Sequence, residues 1–288
     1  LEGTTITAKA GPNALAVLAV AEEGNLLNAP DVYMDKLAVG PGYPDGIIDL
    51  AKSATENVQA VAKAKGVEPN EIIVCVLDRP RHEKLIAELR GIGCGIMLIP
   101  DGDVAGVIAV TNPETTIDMY MGSGGAPEGV LAAAALRCVG GQFKGRLLFR
   151  NDDERARARK WGITDLDYIY DLKELAKGDC IFAATGVTDG SLLDGVKRLP
   201  GGKMTTESVV MRASSGTVPI RAMRPALNRL VPDAKSERRR VSRYSAVASK
   251  RLRSSMKDCP GSPPRVVSAP SIRPSKFQPK PRRRPEFW

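Results

Sequence analysis

Histidine is almost absent from this sequence: His82 is the single one in 288 residues. No serine, cysteine or aspartate stands at motif spacing to it, so it reads as a packed or capping residue rather than a general base. The HExxH, GxSxG and kinase signatures are missing, as are the GxxxxGK[ST] phosphate loop and the GxGxxG dinucleotide loop. Cysteine is sparse. Cys75, Cys94, Cys138, Cys180 and Cys259 form no CxxC pair, and most lie in apolar runs, the pattern of buried thiols in a reducing compartment. Disulfides and a zinc knuckle are therefore disfavoured. The longest apolar runs, "NALAVLAVA" and "VLAAAAL", fall far short of the roughly 20 residues that span a bilayer. No basic-then-apolar signal opens the chain, so the expected location is cytoplasmic, with no membrane partner.

Acidic residues are scarce in one region only. From Ala222 to Trp288 there are 18 Lys and Arg against 4 Asp and Glu, while the rest of the chain carries 24 against 29; the net charge of +9 therefore comes from the end of the sequence. That end also holds ten of the 21 prolines and lacks helical or strand periodicity. Two regions are expected: a folded unit at 1–221 and a basic, Pro/Arg/Ser-rich disordered tail at 222–288. The tail's "ERRRVSRYS" and "KPRRRPEFW" would suit nucleic acid or an anionic surface. Its few aromatics (Tyr244, Phe277, Phe287, Trp288) do not alternate with the basic residues, which makes nucleic-acid binding the less favoured reading.

Within 1–221, strand and helix patterns alternate, which predicts an α/β fold. "NALAVLAVAEEGNLL" and "DVYMDKLAVG" read as strands, and "SATENVQAVAKAKG" as a helix capped by Ser53 or Thr55. "EIIVCVLD" is a buried strand, followed by the helix "HEKLIAELRG" closed by Gly91. "GIMLIPDGD", the short helix "VAGVIAV", the strand "TTIDMYM" and the helix "EGVLAAAALRCVG" continue the series, with Pro127 near that helix's first turn and Gly140 past its end. "GRLLFRN", "DDERARARKWG" and "DCIFAATG" extend the sheet, and a hairpin around "SSG" closes it.

Four polar clusters follow predicted strands, where ligands of α/β sheets gather. "DRPRH" (78–82) offers two arginines flanking a proline, a stiff fork for phosphate oxygens. "DGD" (101–103) makes a turn or meets sugar hydroxyls or a divalent ion. "GSGGAPEG" (122–129) reads as a bare loop that an anion can approach, with Glu128 in the first turn of the next helix. "ATGVTDG" (184–190) is the fourth, and all four are expected to converge on one rim. Spacing alone leads to metal-assisted chemistry on a phosphorylated small molecule.

Taken together, "LEGT", "NAPDVYMDKLAVGPG", "DRPRH", "PDGDVA", "GSGGAPEGVLAAAALRC", "FAATGVTDGSLLDGV" and "TTESVVMRASSGTV" resemble class II fructose-1,6-bisphosphatase from Leu1 to about Val218. This is the bacterial type, some cyanobacterial members of which also hydrolyse sedoheptulose-1,7-bisphosphate. The resemblance implies the layered α/β sandwich of the lithium-sensitive, metal-dependent sugar phosphatases. It implies hydrolysis of the 1-phosphate of fructose-1,6-bisphosphate in gluconeogenesis or the Calvin cycle, and a homo-oligomer. Glu2 and Glu128 would ligate Mn²⁺ or Mg²⁺. Gly3, Thr4 and Tyr33 would touch the substrate, Arg79, Pro80 and Arg81 would take a phosphate, Asp101, Gly102 and Asp103 would hold sugar hydroxyls, and Gly125 would make a backbone contact.

The family's "DPxEGT" motif begins with an aspartate, and this sequence starts after it. Relatives also carry upstream a further aspartate, a "GEGE" glutamate and the first layers of the fold. On this reading the fold lacks its N-terminal portion and three of five acidic ligands. Weak metal binding and little turnover are expected of this chain, with an inactive fragment bearing an anion-binding tail as the alternative.

Overall fold

The computed structural model describes residues 1–216, 222–226 and 265–267. Two sheets and two helical layers alternate. The first sheet is antiparallel, ordered β11-β10-β8-β1-β12, and comprises β1 (Leu15–Ala21), β8 (Cys180–Gly186), β10 (Lys203–Arg212), β11 (Ala222–Ala226) and β12 (Arg265–Val267), with β9 (Lys197–Leu199) paired to β10. The second is mixed, ordered β4-β3-β5-β2-β6-β7: β2 (Tyr33–Val39), β3 (Ile73–Leu77), β4 (Gly95–Ile99), β5 (Met119–Gly125), β6 (Gln142–Leu148) and β7 (Ile169–Asp171). The expected α/β class holds, but the strands divide between two sheets instead of extending one.

Helix α5 (Ala126–Val139) explains the stacking. Its sequence is apolar all round and most of its residues are buried, which suits a helix covered on more than one side. Together with α4 (Asp103–Ala109) it shares one core with Leu15, Val17 and Ala19 of β1, Phe182 of β8, and Met34, Tyr120 and Phe143 of the second sheet. The opposite face of the second sheet buries Leu37, Val74, Val76 and Met121 against α2 (Ala54–Lys65) and α3 (Glu83–Ile92). Sheet, helices, sheet, helices is the layered α/β sandwich.

Local signals account for most boundaries. Ser53 caps α2, its Oγ accepting from Glu56 N while Glu56 Oε2 accepts from Ser53 N at 2.9 Å. Ser53→Ala is expected to cost about 1 kcal/mol, seen as a melting temperature lower by roughly 2–4 °C in a thermal melt. Helix α3 runs past Gly91, the expected stop, and ends at Gly93, whose φ of 83° makes the left-handed cap. The short helices α1 (Thr4–Ala8) and α7 (Leu172–Leu175), together with β7 and β9, carry too little periodicity to be legible in sequence; α6 (Asp152–Lys160) lies where expected. The hairpin around Ser215 is present, with Ser208 opposite Ala222. The four described cysteines, Cys75, Cys94, Cys138 and Cys180, are buried free thiols. Cys259 and most of the expected basic tail lie outside the described residues; β11 and β12 are the parts of 222–288 that are described.

Candidate active site

Strand directions bring the site together. β3 is parallel to both β4 and β5, so the chain leaves all three at one edge of the second sheet. β2 runs antiparallel to β5 and β6, which places Tyr33 at that same edge, opposite Gly125 and Leu148. The "DRPRH" turn after β3, the "DGD" turn after β4 and the β5–α5 junction thus meet in a cavity of about 570 Å³. Leu1–Thr4 close it from the first-sheet side, anchored by Glu2 N to Leu15 O at 2.8 Å.

Of the expected site residues, Glu2, Gly3, Thr4, Tyr33, Arg79, Arg81, Asp101, Asp103, Gly125 and Glu128 line this cavity. Pro80 and Gly102 do not. Pro80 opens the single 3₁₀ turn Pro80–His82, setting the spacing of its two arginines. Gly102 has φ 88°, which lets the chain swing Asp103 into α4. The fourth polar cluster, 184–190, also stays out. It follows β8 of the other sheet and packs on Asn13 and Ala14, with Ala14 N donating to Thr188 Oγ1 at 2.9 Å and Asn13 N to Asp189 O at 3.0 Å. Convergence of all four clusters required a single sheet, and there are two.

The glycines of "GSGG" are not a loop. Gly122–Gly125 continue β5 and pair with Lys36 to Tyr33 of β2. Side chains packed against this strand explain why it is bare. A Cβ on Gly122 would lie 3.0 Å from the His82 ring, one on Gly124 2.1 Å from Asp103 Oδ2, and one on Gly125 2.0 Å from Glu128 Oε2. Each glycine makes room for a polar group of the rim.

Acidic and basic side chains both line the cavity. Glu2 is buried, its Oε1 accepting from Val104 N at 3.0 Å, whereas its Oε2 has no hydrogen-bond partner among the described residues. Burial first, and the Asp103 charge second, raise its carboxyl well above the ordinary 4.5. In the same cavity, Arg81 donates to Ser123 O from Nε at 3.1 Å and from Nη2 at 2.6 Å, and lies over the Tyr33 ring at 4.9 Å. Arg79 Nη2 stands 3.6 Å from Asp101 Oδ1. His82 is a packed residue: Ser123 N donates to its Nε2 at 2.8 Å, which leaves the proton on Nδ1 to go to Leu77 O at 2.7 Å. Desolvation lowers its pKa, so the ring is neutral and serves to tie the arginine turn to β5.

Three residues escaped the sequence reading. Arg150 lines the cavity, with its guanidinium 5.5 Å from the Tyr33 ring and bonded to Glu154 Oε1. Its signal was available, because it follows β6 and precedes the Asn151 helix cap, the same strand-end placement as Arg79 and Arg81. Asp31 lines the mouth just before β2. Lys36 was hidden inside a strand, and its ammonium pairs with Asp103 Oδ2 beneath the floor.

A family model described as bacterial fructose-1,6-bisphosphatase, glpX-encoded, matches residues 1–224. The chain belongs to this family. Curated relatives from Synechococcus elongatus, a further Synechococcus strain and Trichodesmium erythraeum are each 42% identical over 229 aligned positions. All three are named D-fructose 1,6-bisphosphatase class 2/sedoheptulose 1,7-bisphosphatase. The match covers 75% of this chain and 66% of each relative, so the chain spans just under two thirds of their length. Among the described residues no helix is long and apolar enough to cross a membrane.

The glpX family implies a divalent ion, and the residues present fit one as an open site. The unpartnered Glu2 Oε2 and the half-buried Glu128 are hard oxygen donors on one cavity. No group of three His, Cys, Asp or Glu side chains among the described residues forms a closed metal cage. Two carboxylates suit an ion that keeps water and takes substrate phosphate as its remaining ligands.

Proposed function

We propose that this cavity binds fructose-1,6-bisphosphate and is the site of hydrolysis of its 1-phosphate, giving fructose-6-phosphate and phosphate with a divalent ion such as Mn²⁺ or Mg²⁺. The observation that carries this reading is that an orphaned carboxylate oxygen on Glu2 and three arginines, Arg79, Arg81 and Arg150, line one cavity of about 570 Å³. A carboxylate for a cation and arginines for anions in one cavity suit a sugar bisphosphate.

In this reading Glu2 and Glu128 hold the ion, which when bound polarises the phosphoryl group and lowers the pKa of an attacking water. Arg79 and Arg81 grip a phosphate. Arg81 is already oriented by Ser123 and stacked on Tyr33, so little side-chain freedom is lost on binding. Asp101 and Asp103 accept from sugar hydroxyls, and the bare backbone at Gly124 and Gly125 lets the sugar come close.

Sedoheptulose-1,7-bisphosphate is the second reading, favoured by the relatives' names and by its being, like fructose-1,6-bisphosphate, a ketose with a phosphate at each end. A homo-oligomer in the cytoplasm remains the expected setting.

The test is phosphate release from fructose-1,6-bisphosphate with Mn²⁺ and with chelator. Release that stops on chelation, and an Arg81→Ala variant whose KM rises about tenfold or more, would support the reading. Release that ignores the chelator would sink it. Binding without release would confine the cavity to recognition of sugar phosphates.

A further inference from the structure

Lys36 lies in the middle of β2, fully buried, and Asp103 is its one hydrogen-bond partner among the described residues. It shares a strand face with Met34 and Ala38, which belong to the core packed against α4 and α5. A buried ion pair stabilises little compared with apolar side chains of the same volume, so its presence in that core points to a role beyond stability. The surroundings are cut to fit it. A Cβ on Gly124 would lie 3.1 Å from Lys36 Nζ, and a Cβ on Gly129 of α5 3.1 Å from Lys36 Cε. A strand and a helix both omit a side chain where this lysine passes.

The partner matters as much as the lysine. Asp103 and Glu2 are neighbouring acids on one floor, joined through the start of α4, where Val104 N donates to Glu2. Two adjacent carboxylates would ordinarily compete for the same cation. Here one is engaged by an ammonium from below and the other keeps an unpartnered oxygen.

We infer that Lys36 is a positioning residue that divides the acidic floor, holding Asp103 for the sugar hydroxyls and leaving Glu2 to the divalent ion. The inference rests on the phosphatase reading and deepens it. Lys36 touches neither substrate nor ion; it works by keeping Asp103 out of the ion's ligand set.

The experiment uses the full chain and its Lys36→Met, Asp103→Asn and doubly substituted forms. Mn²⁺ binding is followed by the electron paramagnetic resonance of the free ion, and fructose-6-phosphate binding by calorimetry. Lys36→Met is expected to bind Mn²⁺ at least threefold more tightly, because Asp103 becomes a donor, and to bind fructose-6-phosphate at least tenfold more weakly. Asp103→Asn is expected to lose the same sugar affinity while keeping its Mn²⁺ affinity within twofold, and the double variant to lose no more than either single one. Unchanged Mn²⁺ and sugar binding by Lys36→Met overturns the inference, as do additive losses in the double variant. If Lys36→Met does not fold, Asp103→Asn decides alone: a tenfold loss of Mn²⁺ affinity makes Asp103 a metal ligand and overturns the division. A parent chain that binds neither Mn²⁺ nor fructose-6-phosphate overturns the phosphatase reading itself, a result distinct from failure of the variants alone.

Discussion

Glu128→Ala is expected to take whatever metal-dependent phosphate release the chain supports below detection, since a lost ligand removes several kcal/mol of charge stabilisation from the reacting phosphoryl group, a factor of about a thousand or more. Gly125→Ala should lower release by about a hundredfold, although it deletes no functional group. Its backbone, at φ −57° and ψ 138°, is a conformation alanine adopts without strain, so the fold has no reason to resist the change. The added methyl, however, would lie 2.0 Å from Glu128 Oε2 and 3.0 Å from its Cδ. The carboxylate sits at the end of a flexible side chain and yields to the methyl at little cost in stability. A displacement of about 1 Å in a catalytic group can cost on the order of a hundredfold in rate, and that is the loss expected. Steady-state phosphate release beside a thermal melt checks it. Unchanged release from a normally melting variant would show that the position of Glu128 does not matter.

Glu2→Gln is expected to make the metal-free protein more stable and at the same time to abolish its ion binding. The carboxyl of Glu2 is 5% exposed, and one of its oxygens has no partner. An unsatisfied buried polar group costs about 1–3 kcal/mol, and a charged one more. Because its pKa is raised in the folded state, folded and unfolded chains are both protonated below the ordinary value of 4.5 and differ little there. Above 4.5 the unfolded chain ionises while the folded one keeps its proton, so stability falls as pH rises toward the folded pKa. Chemical denaturation in chelator from pH 4 to pH 8 should show this fall in the parent and a shallower one in Glu2→Gln. At neutral pH the variant should be the more stable of the two, because glutamine has no proton to lose. A variant less stable than its parent at neutral pH would mean that Glu2 is satisfied in solution. Added Mn²⁺ should stabilise the parent and leave the variant unmoved, through the mass action of a ligand that binds only the folded state.

Both effects arise because the cavity is arranged for ligands absent from the polypeptide. The acidic floor is costly without a cation, and the arginine wall faces open space. Only the pairs within the wall are settled: Arg81 on Ser123 and Tyr33, Arg79 near Asp101, and Arg150 on Glu154. The part-exposed Arg79–Asp101 pair contributes at most about 1 kcal/mol, so its value lies in orientation.

Much of the fold was legible because local rules acted unopposed. Ser53 followed by Glu56 marked the start of α2, the apolar run of α5 marked a helix covered on several sides, and the β-branched run at β3 marked a buried strand. The rim turns at 78–82 and 101–103 were found because each follows a predicted strand, where ligands of α/β sheets gather, although a plain turn at 101–103 fitted the local pattern as well. Where reading failed, a distant contact had overridden the local pattern. Glycine is a turn signal by itself, yet Gly122–Gly125 form a strand because β2 pairs with them and His82, Asp103 and Glu128 need the space above them. Lys36 passed unremarked inside a strand, since nothing nearby in sequence reveals an aspartate 67 residues away.

The sequence alone therefore determined the α/β class, because turn chemistry, capping and hydrophobic period are read within a few neighbouring residues, while the ten expected residues that line the cavity came from the family resemblance its motifs carry. Tertiary structure decided that the strands form two sheets, that the 184–190 cluster stands apart from the rim, that Arg150 lines the cavity and that Lys36 meets Asp103. Those outcomes depend on which strands pair and on which buried charge meets which counter-charge. Such contacts join residues far apart in the chain, and a local pattern carries no record of them.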